Sequence, residues 1–538
     1  MKTRHSILAI ISLIFGLIAA FCALTRAGFL LVVAVPLGFA AIGTGRVAIR
    51  LIRKAHGSLR GKGPAVFGTS LGVVAVVSSL LGMVGMSFRQ AEQQRRWQQA
   101  QRETVRLERT LSTSPLPDVP ITNFTSNLPI VVLHTAGQSI SKNSRTTMRA
   151  EFFDVHNGRA LDGAKPDYAG LVTLNLRGMT TMNLPKRSYT LHCVDDSDKQ
   201  IKVSLLGLPA EEDWVLYAPF EDKTLLRDVL AYELTRKMGH YAPQTRYVEL
   251  FLHKSDVPLS KRDYAGVYVL IEKIKRSKER VAIAKLEPQH RSEPEITGGY
   301  IVKRDHGDSG DRRFNTDHGG PYFYVYPKGD QITAQQRSWL TRYFKAFESA
   351  LYGDDFADPE TGYAAYLDVD AFIDAHWLIE MGKNVDGFRY SAYLTKDRGG
   401  KIKAGPPWDW NRSFGNANYY GGWQPQGWYS SNLRPNEISW HHRLGDDPNF
   451  MRRCAGRWVE LRRDVFDPKK INARIDELAA QLEEAQQRNF ERWPILGQHV
   501  TCNHFVGGSY EEEVCWLKNW VERRIAWIDS QIRPAASL

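Results

Sequence analysis

The sequence predicts an α+β fold behind an N-terminal α-helical transmembrane region. Three observations predict it. Apolar residues crowd the first ninety of 538 positions, in runs close to the ~20 residues that cross a bilayer. Between residues 130 and 271, short apolar segments alternate in the manner of strands. Beyond residue 331, apolar positions recur at helical spacing over long segments. The net charge of +12 points to anionic partners or a membrane surface. No nucleic-acid reading element is recognisable, so no nucleic-acid partner is expected. Five Cys residues lack any C-x-x-C, which argues against a zinc ribbon or a thioredoxin-type site. Cys502 and Cys515 are spaced to permit a disulfide in an oxidising compartment.

The first region, residues 1–88, holds three apolar runs: Ser6 to Leu24, Phe29 to Ile42 (interrupted by Pro36), and Val66 to Phe88. Three uncleaved spans are expected, with two as the alternative; the exit of the first run has no small-x-small cleavage site. Arg46, Arg50, Arg53, Lys54, Arg60 and Lys62 lie between the second and third runs. Basic segments favour the cytoplasmic side, so three spans leave the large C-terminal region outside. Residues 89–128 read as a polar stalk followed by a Pro- and Ser-rich linker.

The remaining chain, 129–538, divides at about residue 330. Ile130 to His134, Met148 to Phe153, Leu171 to Leu176, Tyr189 to Cys193, Tyr247 to Leu252 and Tyr264 to Ile271 are predicted strands. Glu221 to Gly239 is predicted as an amphipathic helix with Leu226, Val229, Leu230 and Leu234 on one face. In the second part, Thr333 to Leu351, Val369 to Gly382, Trp440 to Leu461 and Ile471 to Trp493 are predicted helices. Asp386 follows the second of these in a polar turn. Asp409 sits between Trp408 and Trp410, after Gly-Pro-Pro. A carboxylate among aromatic rings loses hydration and needs a cation or hydrogen-bond donors to stay charged.

The order helix, Asp turn, strand (Ser391 to Leu394), strand (Lys401 to Ala404), second Asp is similar to the catalytic half of a protein kinase. Five segments carry a closer likeness: R-G-M-T-T…P-K-R-S-Y from Arg177, L-R-D at 226–228, A-G-V-Y-V-L-I-E at 265–272, G-G-Y-I-V-K-R-D at 298–305, and P-W-D-W at 407–410. They resemble the spore coat protein H (CotH) kinase family across roughly residues 130–535. The resemblance implies a protein-kinase-like two-lobed fold (CotH type), with a nucleotide-binding lobe at 129–330 and a catalytic lobe at 331–538. It implies ATP, with Mg²⁺ or Mn²⁺, and a protein acceptor. In those terms Asp386 orients the acceptor hydroxyl, Asp409 and Asn411 hold the metal, Lys186 contacts phosphate and Arg177 supports that loop. Glu233 is either a partner of that lysine or a solvated helix residue, and Glu272 either a nucleotide contact between the lobes or a strand-end charge. Lys303 and Asp305 are candidates for the same cleft.

Two departures from the family pattern, Ser391 where kinases carry a metal-binding Asn and Asn411 where the family often has a second acid, keep a non-catalytic envelope scaffold open as the alternative. The first ninety residues also resemble a small bacterial membrane domain of unknown function, through Gly45 to Ile49 and the basic segment that follows. The expected location is therefore the bacterial cytoplasmic membrane, with the kinase-like region outside.

Overall fold

The computed structural model describes residues 4–5, 7–24, 28–55, 59–60, 62, 64–79, 119–121 and 124–536, save 162, 180, 255–256, 308–309, 434–436 and 438. The expected stalk, most of the linker and the end of the third apolar run lie outside these residues. The chain forms two compact units, Met1–Gln99 and Ala100–Leu538.

In the first unit, α1 (Ile7–Leu24), α2 (Gly28–Lys54) and α3 (Pro64–Ser79) pack through small residues. The Ser12 hydroxyl donates to the Ala41 carbonyl at 2.8 Å, and Ala9, Ala41, Ala48, Ala65 and Ala75 are buried. A Cβ on Gly72 would fall 2.6 Å from the Gly38 carbonyl, so the helix backbones touch. Large apolar side chains such as Phe39, Phe67 and Val74 point outward instead. Small inside and large apolar outside is the pattern of helices packed in lipid. Among the described residues one segment, Val35–Lys54, is long and apolar enough to cross a membrane. Arg46, Arg50, Arg53 and Lys54, expected between helices, lie on α2 itself, because the helix runs twelve residues past Ile42.

The second unit begins with a closed barrel of seven strands. These are β1 (Ile130–His134), β2 (Thr146–Phe153), β3 (Tyr168–Leu176), β4 (Tyr189–Val194), β5 (Asp213–Tyr217), β6 (Thr245–His253) and β7 (Tyr264–Glu272). Every neighbouring pair is antiparallel except β1 with β6, whose parallel pairing closes the barrel. Strand periodicity fills it: Val131 and Leu133 of β1 join the barrel core with Phe152, Trp214 and Leu250. Ile130 and Val132 face the other way, against Phe251 and Tyr264. Strand β5 went unpredicted, since Asp-Trp-Val-Leu-Tyr is too short to show a period.

A five-stranded sheet follows. It contains β8 (Tyr300–Arg304), β9 (Arg313–Phe314), β10 (Tyr322–Tyr326), β11 (Ala392–Lys396) and β12 (Ile402–Ala404), in the order β9-β10-β8-β11-β12. Strand β8, grouped by the sequence with the residues before 330, is therefore paired along its length with β11. Helix α4 (Arg227–Lys237) connects β5 to β6 and starts six residues later than predicted. The Asp222 carboxylate explains the delay: it binds the amides of Thr224 and Arg227 and the Arg227 guanidinium, while Leu225 takes a left-handed φ of 64°.

Helices α5 (Ala334–Tyr352), α6 (Val369–Gly382), α7 (Ser439–Leu444), α8 (Pro448–Arg462), α9 (Pro468–Gln481), α10 (Glu483–Arg492) and α11 (Tyr510–Ala536) complete the unit. One contiguous core joins α4, α6 and α11. Helix α11 was not predicted, although Val514, Leu517, Val521, Ile525, Ile528 and Ile532 keep helical spacing. Cys502 and Cys515 are free thiols, the first buried and the second exposed, so the pairing that the sequence left open is not formed.

Candidate active site

Asp386 is delivered by the end of α6. Asp368 caps that helix at its N-terminus by accepting the Ala371 amide. At the other end Gly382 leaves no room for a side chain, because a Cβ would lie 2.9 Å from the Trp410 ring. The left-handed cap position passes to Lys383, at φ 42°, whose buried ammonium donates to the Gly421 and Gln426 carbonyls. Glu380, fully buried one turn earlier, accepts the amides of Tyr429 and Ser430 and pairs with Arg524 of α11 at 3.0 Å. The Asp386 amide then donates to the Asn384 side chain, and its carbonyl accepts from Arg389 and Tyr390. These bonds leave the Asp386 carboxylate at the surface of the turn, 18% exposed, with the Arg389 guanidinium 3.6 Å away. Burial raises its pKa, while Arg412 and Arg389 pull it down.

Asp409 comes from the chain after the β11–β12 hairpin. It holds a left-handed φ of 63°, a conformation unusual outside glycine. Helix α4 clasps this turn from the barrel side. The Trp410 amide donates to Asp228 at 2.9 Å, and the Asp409 amide meets the Tyr232 hydroxyl at 3.4 Å. Trp408 stacks on Tyr232 and carries the Arg177 guanidinium 4.9 Å above its ring. The Asp409 carboxylate accepts no hydrogen bond from any described residue. Burial, and next the Asp386 charge, push its pKa up to about 6, with Arg412 opposing. Asp228, buried beneath it, is pushed up to about 7 by burial and by Asp409.

The other residues singled out by the sequence separate into two groups. Arg177 is brought to the acids: Tyr393, Asp409 and Asp305 act on its charge, and its guanidinium has no hydrogen bond to a described residue. Lys303, ion-paired to Asp305 at 2.8 Å, shares that neighbourhood. Asn411 is buried beside them, its amide donating to Glu221 at 2.8 Å. Lys186 is elsewhere. At 2% exposure its ammonium donates to the Val267 carbonyl and to Asn489 of α10, and burial holds its pKa well below the usual lysine range. Glu233 pairs with Arg474 of α9, not with Lys186. Glu272, fully buried, accepts from Tyr241 and from the Gln244 amide and lies 4.0 Å from Arg280.

Sequence reasoning missed Glu221, Asp228 and Arg412. Glu221 is the hub: it accepts from Arg412, Asn411 and Thr501 and acts electrostatically on both Asp386 and Asp409. A faint signal existed in the clustered charges of Glu221-Asp222-Lys223, five residues before Arg227-Asp228. A mostly apolar cavity of about 410 Å³ lies behind this constellation, with Asn384, Ser391, Trp408 and Trp410 in its wall.

Chemically, two carboxylates from separate turns share one field, with Arg389, Arg412 and Arg177 around them. Among the described residues no three His, Cys, Asp or Glu side chains are grouped to hold a metal. The donors fit a hard cation that takes one or two carboxylates and completes its shell from phosphate and water. Compared with known families, residues 174–528 match CotH, described as CotH kinase protein, over more than half of the chain. No curated protein matches the chain.

Proposed function

Because the chain belongs to the CotH kinase family, we propose that it transfers the γ-phosphate of ATP to a hydroxyl group of a protein, at Asp386 and Asp409. One observation carries the reading. Asp409 is a half-buried carboxylate in a left-handed turn, beside a second carboxylate and without a hydrogen-bond donor of its own. Such a group costs free energy at neutral pH, and a cation offsets that cost.

In this reading Asp386 accepts a hydrogen bond from the acceptor hydroxyl, orients it and takes its proton late in transfer. Arg412 and Arg389 oppose the rise that burial gives the Asp386 carboxyl. Asp409 would hold Mg²⁺ or Mn²⁺, with the Asn411 oxygen as a second donor. When bound, that ion offsets the charge developing on the phosphate oxygens. Arg177, flat on Trp408, supplies the phosphate-neutralising charge first assigned to Lys186. Glu221 positions Asn411 and Arg412. The barrel and the second sheet with its helices take the parts of the two kinase lobes, and the three N-terminal helices anchor them to the bacterial cytoplasmic membrane with the kinase-like region outside.

The test is autophosphorylation and transfer to a generic protein acceptor. The full chain in detergent is supplied with labelled ATP and Mg²⁺ or Mn²⁺, alongside Asp386→Asn and Asp409→Asn. Label transfer that falls by at least a hundredfold in both variants is expected; transfer that persists in Asp386→Asn would sink the assignment. A second reading, a kinase-derived binding protein of the envelope, is favoured by Ser391 at the usual metal-ligand position and by the Asn411 amide already engaged with Glu221. Nucleotide binding without transfer would select it.

A further inference from the structure

The flank of the barrel carries a half-open cleft of about 530 Å³ that the acid pair does not use. It lies between β3, β4, the chain just past β7 and residues 325–331. Its size is within the range of small-ligand sites. Six of its lining residues are Lys or Arg, and two are Asp or Glu.

The pairing of these charges decides what the cleft accepts. Lys275 satisfies both acids, at 2.8 Å from Asp213 and 3.3 Å from Glu212, and it reaches Glu211 as well. His192 also sits on Asp213. The acids are thus occupied. The side chains of Lys273, Lys328 and Arg145 line the same cleft with no hydrogen bond or ion pair to any described residue. Lys273 is the most enclosed of the three, and Arg177, Lys328 and Lys275 all press on it; burial and these neighbours pull its pKa down to about 8 against the attraction of Asp213. Like charges gathered in a low-dielectric cleft cost free energy, which an incoming anion relieves. Asn175 and Thr190, on adjacent strands in the wall, add neutral donors.

We propose that this cleft binds a small, multiply charged oxyanion of phosphate or carboxylate class, held by Lys273, Lys328 and Arg145. The site lies beside Arg177, outside the acid pair, and does not depend on the phosphotransfer reading.

The experiment is isothermal titration of the full chain in detergent, metal-free and at low ionic strength, with tripolyphosphate in one arm and citrate in the other. Saturable binding near one equivalent is expected. It should weaken at least tenfold in Lys273→Met and in Lys328→Ala, recover in Lys273→Arg, and persist in Asp409→Asn. Binding of tripolyphosphate alone assigns phosphate chemistry, and of citrate alone carboxylate chemistry. Lys328 is exposed, so its removal leaves the fold intact; binding indifferent to Lys328→Ala overturns the proposal. No saturable binding in either arm overturns it too. Displacement by MgATP would also do so, because it would make the cleft a part of the nucleotide site. None of these results requires phosphoryl transfer, so failure here is distinct from failure of the proposed activity.

Discussion

Asp409→Asn should make the protein more stable at neutral pH while removing the metal-dependent phosphotransfer proposed for it. The Asp409 carboxyl rises from an ordinary 3.8 to about 6 in the folded chain. At 1.36 kcal/mol per pH unit this corresponds to about 3 kcal/mol of destabilisation when the group is ionised. The sign follows from linkage. Well below pH 3.8 the group is protonated in both states and contributes nothing. The destabilisation grows between pH 4 and 6 and is complete above it. Asn has the same shape and no charge, so the variant should gain about 1–3 kcal/mol at pH 8, the lower figure allowing for Asp228 and Asp386 readjusting, and the gain should vanish near pH 4. Urea unfolding of the full chain in detergent, followed by Trp fluorescence at pH 4, 6 and 8, measures this directly. Mg²⁺ with ATP should stabilise the wild type and leave the variant unmoved. A variant less stable than wild type at pH 8, or an advantage independent of pH, would refute the argument that Asp409 is an uncompensated charge.

Two further outcomes follow from contacts within the second unit. Arg524→Met strands the buried Glu380 carboxylate and should cost about 3–5 kcal/mol, read as a lower urea midpoint. Arg177→Met should weaken ATP binding at least tenfold with little change in stability, whereas Lys186→Met should cost about 1–3 kcal/mol of stability, through the orphaned Val267 carbonyl and Asn489, and leave the ATP Kd unchanged. Nucleotide titrations and melting curves on the same samples separate the two, and a weakened Kd in Lys186→Met would return that lysine to the site.

Asp386 and Asp409 were legible because local chemistry marks them: a helix that must end after Gly382, and a Gly-Pro-Pro segment leading into Trp-Asp-Trp. The strands of the barrel other than β5 were legible for the same reason, through their two-residue period. Of what surrounds the acids, Arg177, Asn411, Lys303 and Asp305 were legible and Glu221, Asp228 and Arg412 were not. Glu221 finds Asn503, and Lys186 finds Asn489, across 282 and 303 residues of chain. A lysine before a strand looks the same in sequence whether it faces a cleft or a helix that arrives 300 residues later. The start of α4 was misplaced by a different cause: Thr224 and Leu225 suit a helix, but the Asp222 carboxylate outcompetes it locally by capturing the Arg227 amide and side chain. Helix α11 had the period and was simply passed over.

The clamp between Glu380 and Arg524 also has a temporal side. Translation makes α6 well before α11, so the Glu380 carboxylate beside the turn that presents Asp386 meets its arginine only when a residue 144 positions later is made. A chain that ends between Asp409 and Arg524 holds both aspartates yet lacks the strut that braces the turn of one of them. The barrel, the second sheet and most of the helices precede that arginine in the chain, so the brace on the Asp386 turn is among the last parts to be synthesised.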